Sequence, residues 1–224
     1  MKRYAKVENN AVTKVIPKKP VRLQDGEDIA TESWLIENEG IYPIKDDPPE
    51  HNKYSQTLRR KAESDWSVED DHVLVTYDIE DRSVSKTRQK LNEAAKRQRD
   101  RILRLGVWIA LRDNWYRHRA DDTGRAALDQ AALDSDRRAD WQEDWRAASA
   151  VNEDGEPTEP WISDLTKDEL ETMRSAVAVH KSAAWKRLKE IEDALKKAET
   201  VDDLLDVDIE AGWPDGGKNE RSME

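Results

Sequence analysis

The sequence predicts an α+β fold: small N-terminal β-hairpins, then two long antiparallel helices with short β-hairpins at one end of the pair. Three observations carry this. Val73, Val75, Tyr77 and Ile79 alternate at period two, the mark of a strand with one face turned inward. The stretches 83–105 and 166–197 instead repeat apolar residues at spacings of three and four, which is helical. Between them, short aromatic runs such as Val107–Leu111 and Trp115–Arg119 are separated by turn residues. The chain therefore divides into a β-rich region over 1–82, a helical module with hairpins over 83–214, and a polar tail over 215–224 that should be disordered.

Composition sets the size of the core. Of 224 residues, 39% are charged and only 41 are Val, Ile or Leu; there is no Phe, and the net charge is −11. An aliphatic content this low with a large net charge borders on that of disordered chains. Nine tryptophans offset it, since each can bury roughly 150–250 Å². The expectation is a thin-cored folded protein with wide solvated surfaces. With no cysteine, disulfides, thiolate metal sites and cysteine nucleophiles are excluded. The basic start, Met1-Lys2-Arg3-Tyr4-Ala5-Lys6, is followed by no apolar stretch, so no signal peptide is expected. No run approaches the roughly 20 apolar residues of a membrane span. A soluble cytoplasmic protein is the default expectation.

In the first region, Tyr4–Val7 and Val12–Ile16 flank Asn9-Asn10, and asparagine tolerates the positive φ of a tight hairpin. Thr31 to Asn38 reads as a short helix stopped by Gly40. A second hairpin joins residues 57–68 to the strand 72–79 across Glu69-Asp70-Asp71. Ser83 is a candidate N-cap for a helix ending near Leu105, with Gly106 beyond it and Leu91, Ala95, Ile102 and Leu105 on one face. A hairpin over 107–119 follows, turning at Arg112-Asp113-Asn114. Thr123 is then the candidate cap of an Ala-rich helix through Leu133. In the charged stretch 134–144, Trp141 and Trp145 stand four residues apart, about one helical turn. A hairpin over 145–163 turns near Asn152-Glu153-Asp154-Gly155 and returns through Trp161-Ile162. Thr166-Lys167-Asp168-Glu169 matches a capping box and opens the longest helix, striped by Leu170, Met173, Val177, Ala184, Leu188, Ile191 and Leu195. Thr200 caps a short final helix carrying Leu204 and Leu205.

The residues that could carry chemistry are few. Asp122-Thr123-Gly124 spells the aspartic-protease tripeptide, but one copy followed by helix-forming residues reads as a helix start. Asp206, Asp208 and Glu210 alternate like cation ligands, without the Gly and Glu that a calcium-binding loop needs; a solvated turn is expected, and no metal site. His51, His72, His118 and His180 show no paired spacing, and His180 falls near the long helix's apolar stripe as a core-edge histidine. No nucleophile motif or phosphate-cradling Gly loop occurs, so neither a cofactor nor catalysis is expected. A degenerate enzyme would need convergent carboxylates, such as Asp121, Asp122 and Asp144. The helix 83–105 is basic, with Lys86, Arg88, Lys90, Lys96, Arg97, Arg99, Arg101 and Arg104 against Glu93 and Asp100. It could face phosphates or pair with acidic surface in this chain or in a partner; the acidity of the whole chain disfavours nucleic acid. The tryptophans serve mainly as core. An exposed patch of Trp108, Trp115, Tyr116, Trp141 and Trp145 is the candidate partner-binding surface.

The order of elements carries a resemblance. Ser64-Asp65-Trp66-Ser67-Val68, the strand His72–Ile79 and Asp81-Arg82-Ser83-Val84 lead into the arginine-bearing helix. The aromatic hairpin, the Ala-rich helix, Trp145, Trp161 and Leu165-Thr166-Lys167-Asp168-Glu169-Leu170 follow, and Val207-Asp208-Ile209-Glu210-Ala211-Gly212-Trp213-Pro214 completes the series. Over residues 57–214 this resembles a bacteriophage tail-associated family whose C-terminal module is a domain of unknown function, found beside tail-fibre and tail-fibre-assembly genes. The segment 134–160 is longer than in that family, and Arg104-Leu105-Gly106-Val107 replaces a more aromatic hairpin entry. The resemblance implies a structural protein of the tail fibre or baseplate, or an assembly chaperone absent from the mature virion. It implies tail, fibre or baseplate subunits as partners, a location in the virion tail or in the host cytoplasm during assembly, and the three- or sixfold homo-oligomers common among tail parts. No catalytic residues carry over.

Overall fold

The computed structural model describes residues 3–24, 27–28, 30–138 and 140–216. The chain forms two compact units, one ending at Ser83 and the other beginning at Val84, and the class is α+β.

In the first unit, β1 (Tyr4–Glu8) and β2 (Ala11–Ile16) form the expected hairpin. Asn9 and Asn10 both take positive φ, 51° and 62°, the conformation that lets a two-residue turn match the twist of its strands. A two-residue pair, β3 (Leu23–Gln24) and β4 (Glu27–Asp28), precedes α1 (Glu32–Glu39). The Thr31 hydroxyl accepts the Trp34 N–H at the start of α1, and Gly40 ends it at φ 60°. β5 (Ile41–Lys45) lies beside β1, and β6 (Gln56–Arg60) follows. After a 3-10 turn at Glu63–Asp65 come β7 (Ser67–Val68), β8 (Val73–Leu74) and β9 (Tyr77–Asp81). The main sheet runs β2-β1-β5-β8-β7, with β5 and β8 parallel. It covers a core of Ala5, Val12, Trp66, Val73 and Val75, while Tyr4, Ala30, Leu35 and Ile41 form a second cluster under α1.

The period-two strand over 72–79 is broken. β8 joins the main sheet, whereas β9 pairs with β6 in a separate two-stranded ribbon. Val73 and Val75 are buried as the alternation requires, but Ile79, carried by the two-stranded ribbon, is exposed.

The second unit is organised by two helices, α2 (Val84–Leu105) and, later in the chain, the 31-residue helix Lys167–Lys197. They run antiparallel: Arg88 of α2 reaches Leu195 and Ala198, Lys96 reaches Glu192, and Arg99 lies over Trp185. Thr87, Leu91, Ala95 and Leu103 are the buried positions of α2. Leu105, expected on that face, is exposed, because it lies two residues, about 200° of helical rotation, past Leu103. Between the helices come β10 (Val107–Leu111), β11 (Asn114–His118), α3 (Asp122–Asp136), β12 (Glu143–Arg146), β13 (Ser149–Asn152), β14 (Pro157–Thr158) and β15 (Trp161–Leu165). The long helix is α4, and α5 (Val201–Leu205) follows it. The strands form a sheet ordered β10-β11-β13-β14 and a separate pair, β12 with β15. Both sit where α2 ends and α4 begins. Every apolar stripe residue expected on α4 is buried, and so is His180.

Three local expectations are corrected. Asp121, not Thr123, caps α3, its carboxylate accepting the Gly124 N–H at 3.0 Å. Trp141 and Trp145 share no helix: α3 stops at Asp136, and Trp145 lies on β12. The tail is not wholly free, since Gly216 is buried and its carbonyl accepts the Trp108 N–H at 2.6 Å. The remainder of that tail, 217–224, lies outside the described residues.

Candidate interaction surface

The surface around α4 is built from its first turn outward. Thr166 and Glu169 exchange hydrogen bonds as a capping box, the Glu169 carboxylate accepting the Thr166 N–H at 2.9 Å. The same carboxylate receives two bonds from Arg112, at 2.8 and 3.1 Å. Arg112 occupies the β10–β11 turn at φ 56° and also donates to the Ser163 and Asp164 carbonyls at 3.0 and 3.1 Å. One guanidinium thus fastens the hairpin tip and the end of β15 to the start of α4. Arg112 holds the Glu169 carboxyl below the usual carboxylate range, against the opposing effect of partial burial.

α3 packs beside α4 through Leu128 and Ala131. Polar links line the seam: Lys181 to Asp122 at 2.7 Å, Arg174 to Glu171 at 2.8 Å and to Asp129 at 3.4 Å. Above Leu128 they leave a groove of about 430 Å³, edged by Ser175, Ala178, Ser182 and Trp185. Trp185 is 48% exposed, and the Arg99 guanidinium lies 4.1 Å from its ring centre. On its other side, towards α2, a shallower groove of about 310 Å³ is lined by Leu103, Arg104, Asp121 and Asp122. Further around α4, Val179 is 67% exposed. In the β12–β15 pair Trp161 is 51% exposed, with Arg146 5.9 Å from its ring.

The expected aromatic patch is divided by the sheet. In β11 the side chains alternate, so Tyr116 and His118 point inward while Trp115 and Arg117 point outward. Tyr116 is therefore core, and Trp141, 4% exposed, belongs to the same cluster; neither can meet a partner. Trp145 is half-buried, packed against the core and stacked on His118 at 5.7 Å. Trp108 and Trp115 are half-buried on the outer face, with Arg117 5.7 Å from the Trp108 ring. The most exposed tryptophans are instead Trp161 and Trp185. A signal for Trp185 was present in the sequence: from Ser175 to Trp185 only Lys181 is charged.

The suggested acidic trio does not converge. Asp121 and Asp122 share the smaller groove, but Asp144 sits apart and accepts the Asp164 N–H at 3.2 Å. Burial raises the Asp121 carboxyl, yet Arg119 and the Gly124 N–H outweigh it and keep the group low; Lys181 does the same for Asp122. Both are thus held as carboxylates. The Asp208 carboxylate caps its own turn, accepting the Glu210 and Ala211 N–H groups. Among the described residues no three His, Asp or Glu are gathered as metal ligands. Several cations of α2 are engaged within the unit: Arg88 donates to the Leu195 and Ala198 carbonyls at the end of α4, at 2.9 and 2.7 Å, and Lys96 faces Glu192 at 3.6 Å. His118 and His180 are both pushed down by burial. Among the described residues no helix is long and apolar enough to cross a membrane.

The fold and this surface define a two-unit α+β protein whose second unit presents grooves and exposed aromatics along one long helix. Residues 86–211, more than half of the chain, match the family described as a domain of unknown function, DUF4376. The chain belongs to that family. No curated protein and no solved structure matches it.

Proposed function

We propose that this protein works by protein–protein contact as a structural component of a bacteriophage tail, associated with the fibre or baseplate, and that it catalyses no reaction. The observation carrying the contact reading is Trp185, half exposed on the lip of a groove whose charged walls are already paired with one another. Exposed tryptophans beside apolar grooves are where interfaces concentrate binding energy, and paired walls cost little to cover. The tail setting rests on the element order over residues 57–214, which resembles tail-associated proteins. The partner is then a tail, fibre or baseplate subunit, with the charged rims of α3 and α4 setting its orientation.

Quantitative mass spectrometry of purified virions tests this. The protein should be present at a fixed copy number, and Trp185→Ala should be lost from particles while remaining folded. Presence on assembling fibres but not in finished virions would instead make it an assembly chaperone. Absence from both would end the tail reading.

A further inference from the structure

The fold engages some of the cations of α2 and leaves a row of three. Arg88 and Lys96 are held at the end of α4, Lys90 by Glu93, and Arg99 by Asp100 and the Trp185 ring. Arg97, Arg101 and Arg104 are exposed, and among the described residues their guanidinium groups meet no carboxylate or other acceptor. They stand four and three positions apart. That spacing puts all three on one side of the helix, within about 60° of its circumference and about 10 Å of its length.

A shortage of acids does not explain the row, since the chain has 49 Asp and Glu against 38 Lys and Arg. The carboxylates flanking it are held by other groups. Glu93 accepts from Gln89 at 2.9 Å and faces Lys90 at 3.5 Å, Asp100 accepts from Arg99 at 2.9 Å, and Asp121 accepts from Arg119 at 3.1 Å. Like charges three or four apart on a helix are destabilising, so the row weakens the free chain. A partner that brings carboxylates removes that repulsion.

The length and setting of the row select the kind of partner. A nucleic-acid strand is charged along its whole length and would run past the row onto Glu93, Asp100 and Asp121, against a net charge of −11. A protein helix carries carboxylates at chosen positions only. Asp or Glu at the same spacing of four and three faces all three guanidiniums, and each pair can close two parallel hydrogen bonds. At one end of the row, Arg104 also lines the groove of about 310 Å³ with Leu103 and Trp185, which has room for an apolar side chain of the same helix. We propose that Arg97, Arg101, Arg104 and this groove bind an acidic amphipathic helix of a partner protein, three carboxylates on the arginines and one apolar residue beside Trp185. This rests on the contact reading, adds the chemistry of the partner, and is independent of the tail setting.

Fluorescence anisotropy of the full chain with a labelled synthetic helical peptide, carrying one Leu and three Glu at the matching spacing, tests this at low salt. Each exposed ion pair is worth at most about fivefold, so the three together should be worth at least tenfold. A peptide of the same composition with its Glu residues spread around the helix should bind at least tenfold more weakly. The triple variant Arg97→Gln, Arg101→Gln, Arg104→Gln should lose at least tenfold in affinity for the matched peptide. It should also unfold no more easily than the wild type, because the three side chains are exposed and repel one another. Lys189→Gln, Lys196→Gln, Lys197→Gln, the same change in charge on exposed positions of α4, should bind like the wild type. The proposal is overturned if the matched peptide does not bind, if the spread peptide binds equally, if both triple variants lose equally, or if single-stranded or duplex DNA binds more tightly than the peptide. Loss of binding by Trp185→Ala alone, with the arginine variant binding normally, overturns it too but leaves the contact reading standing.

Discussion

Trp141 and Trp185 give the sharpest measurement of where this protein keeps its aromatic surface. Both lie in the second unit, so one unfolding transition reports on both. A tryptophan side chain offers roughly 250 Å² to bury. Trp141, 4% exposed, buries nearly all of it, an upper value of about 6 kcal/mol at 25 cal/mol per Å². A partly compact unfolded state lowers this by 10–40%, so Trp141→Ala should cost about 4–5 kcal/mol, the upper range for such truncations in cores. Trp185, 48% exposed, buries about half as much, and its Arg99 contact adds about 0.5–1 kcal/mol. Trp185→Ala should cost about 2.5–3.5 kcal/mol. Urea unfolding followed by far-ultraviolet circular dichroism at pH 7 measures both. Equal losses, or a larger loss at Trp185, would refute the burial assignments on which the interaction surface rests.

Gly124→Ala should destabilise the chain although alanine is the better helix former by about 1 kcal/mol: its Cβ would sit 2.3 Å from the Arg119 carbonyl oxygen, a backbone atom that cannot swing aside. A lowered thermal midpoint confirms this, and a raised one refutes it. Thr166→Ala removes the hydroxyl that accepts the Glu169 N–H and should cost about 1 kcal/mol by urea unfolding. His118 and His180 are held below their usual pKa by burial, so the folded chain binds fewer protons than the unfolded one. Stability should therefore fall as pH drops below about 6.5, well before the lowered carboxyls of Glu169 and Asp121 titrate. Urea midpoints at pH 7.5 and 5.5 should differ less in a His118→Gln, His180→Gln double variant than in the wild type.

Features set by neighbouring residues were legible in the sequence. Asn9-Asn10 turned the first hairpin, Thr31 and Gly40 bounded α1, and Thr166-Glu169 opened a helix whose whole apolar stripe is buried, because caps and period 3.6 depend on residues within a turn or two. Longer-range pairing was legible only within hairpins. The expected hairpin of 57–68 with 72–79 forms, as β7 with β8 and β6 with β9, but nothing near Val73 announces that β8 also pairs with β5 in the main sheet while β9 stays outside it. The aromatic patch was misplaced for a related reason. Strand alternation separates Tyr116 from Trp115, but which of the two faces inward depends on the helices behind the sheet. Trp185 was overlooked because it lies off the α4 stripe, where composition gave a clue and periodicity gave none.

The family match ends at residue 211, yet the Gly216 carbonyl completes the edge of β10, and near the other boundary Arg88 closes the last turn of α4. Anyone excising this unit for crystallisation or binding work should therefore begin at Val84 or earlier and retain Gly216. A fragment trimmed to the matched residues keeps the arginine but strips Trp108 of that acceptor, and its hairpin should fray first under protease.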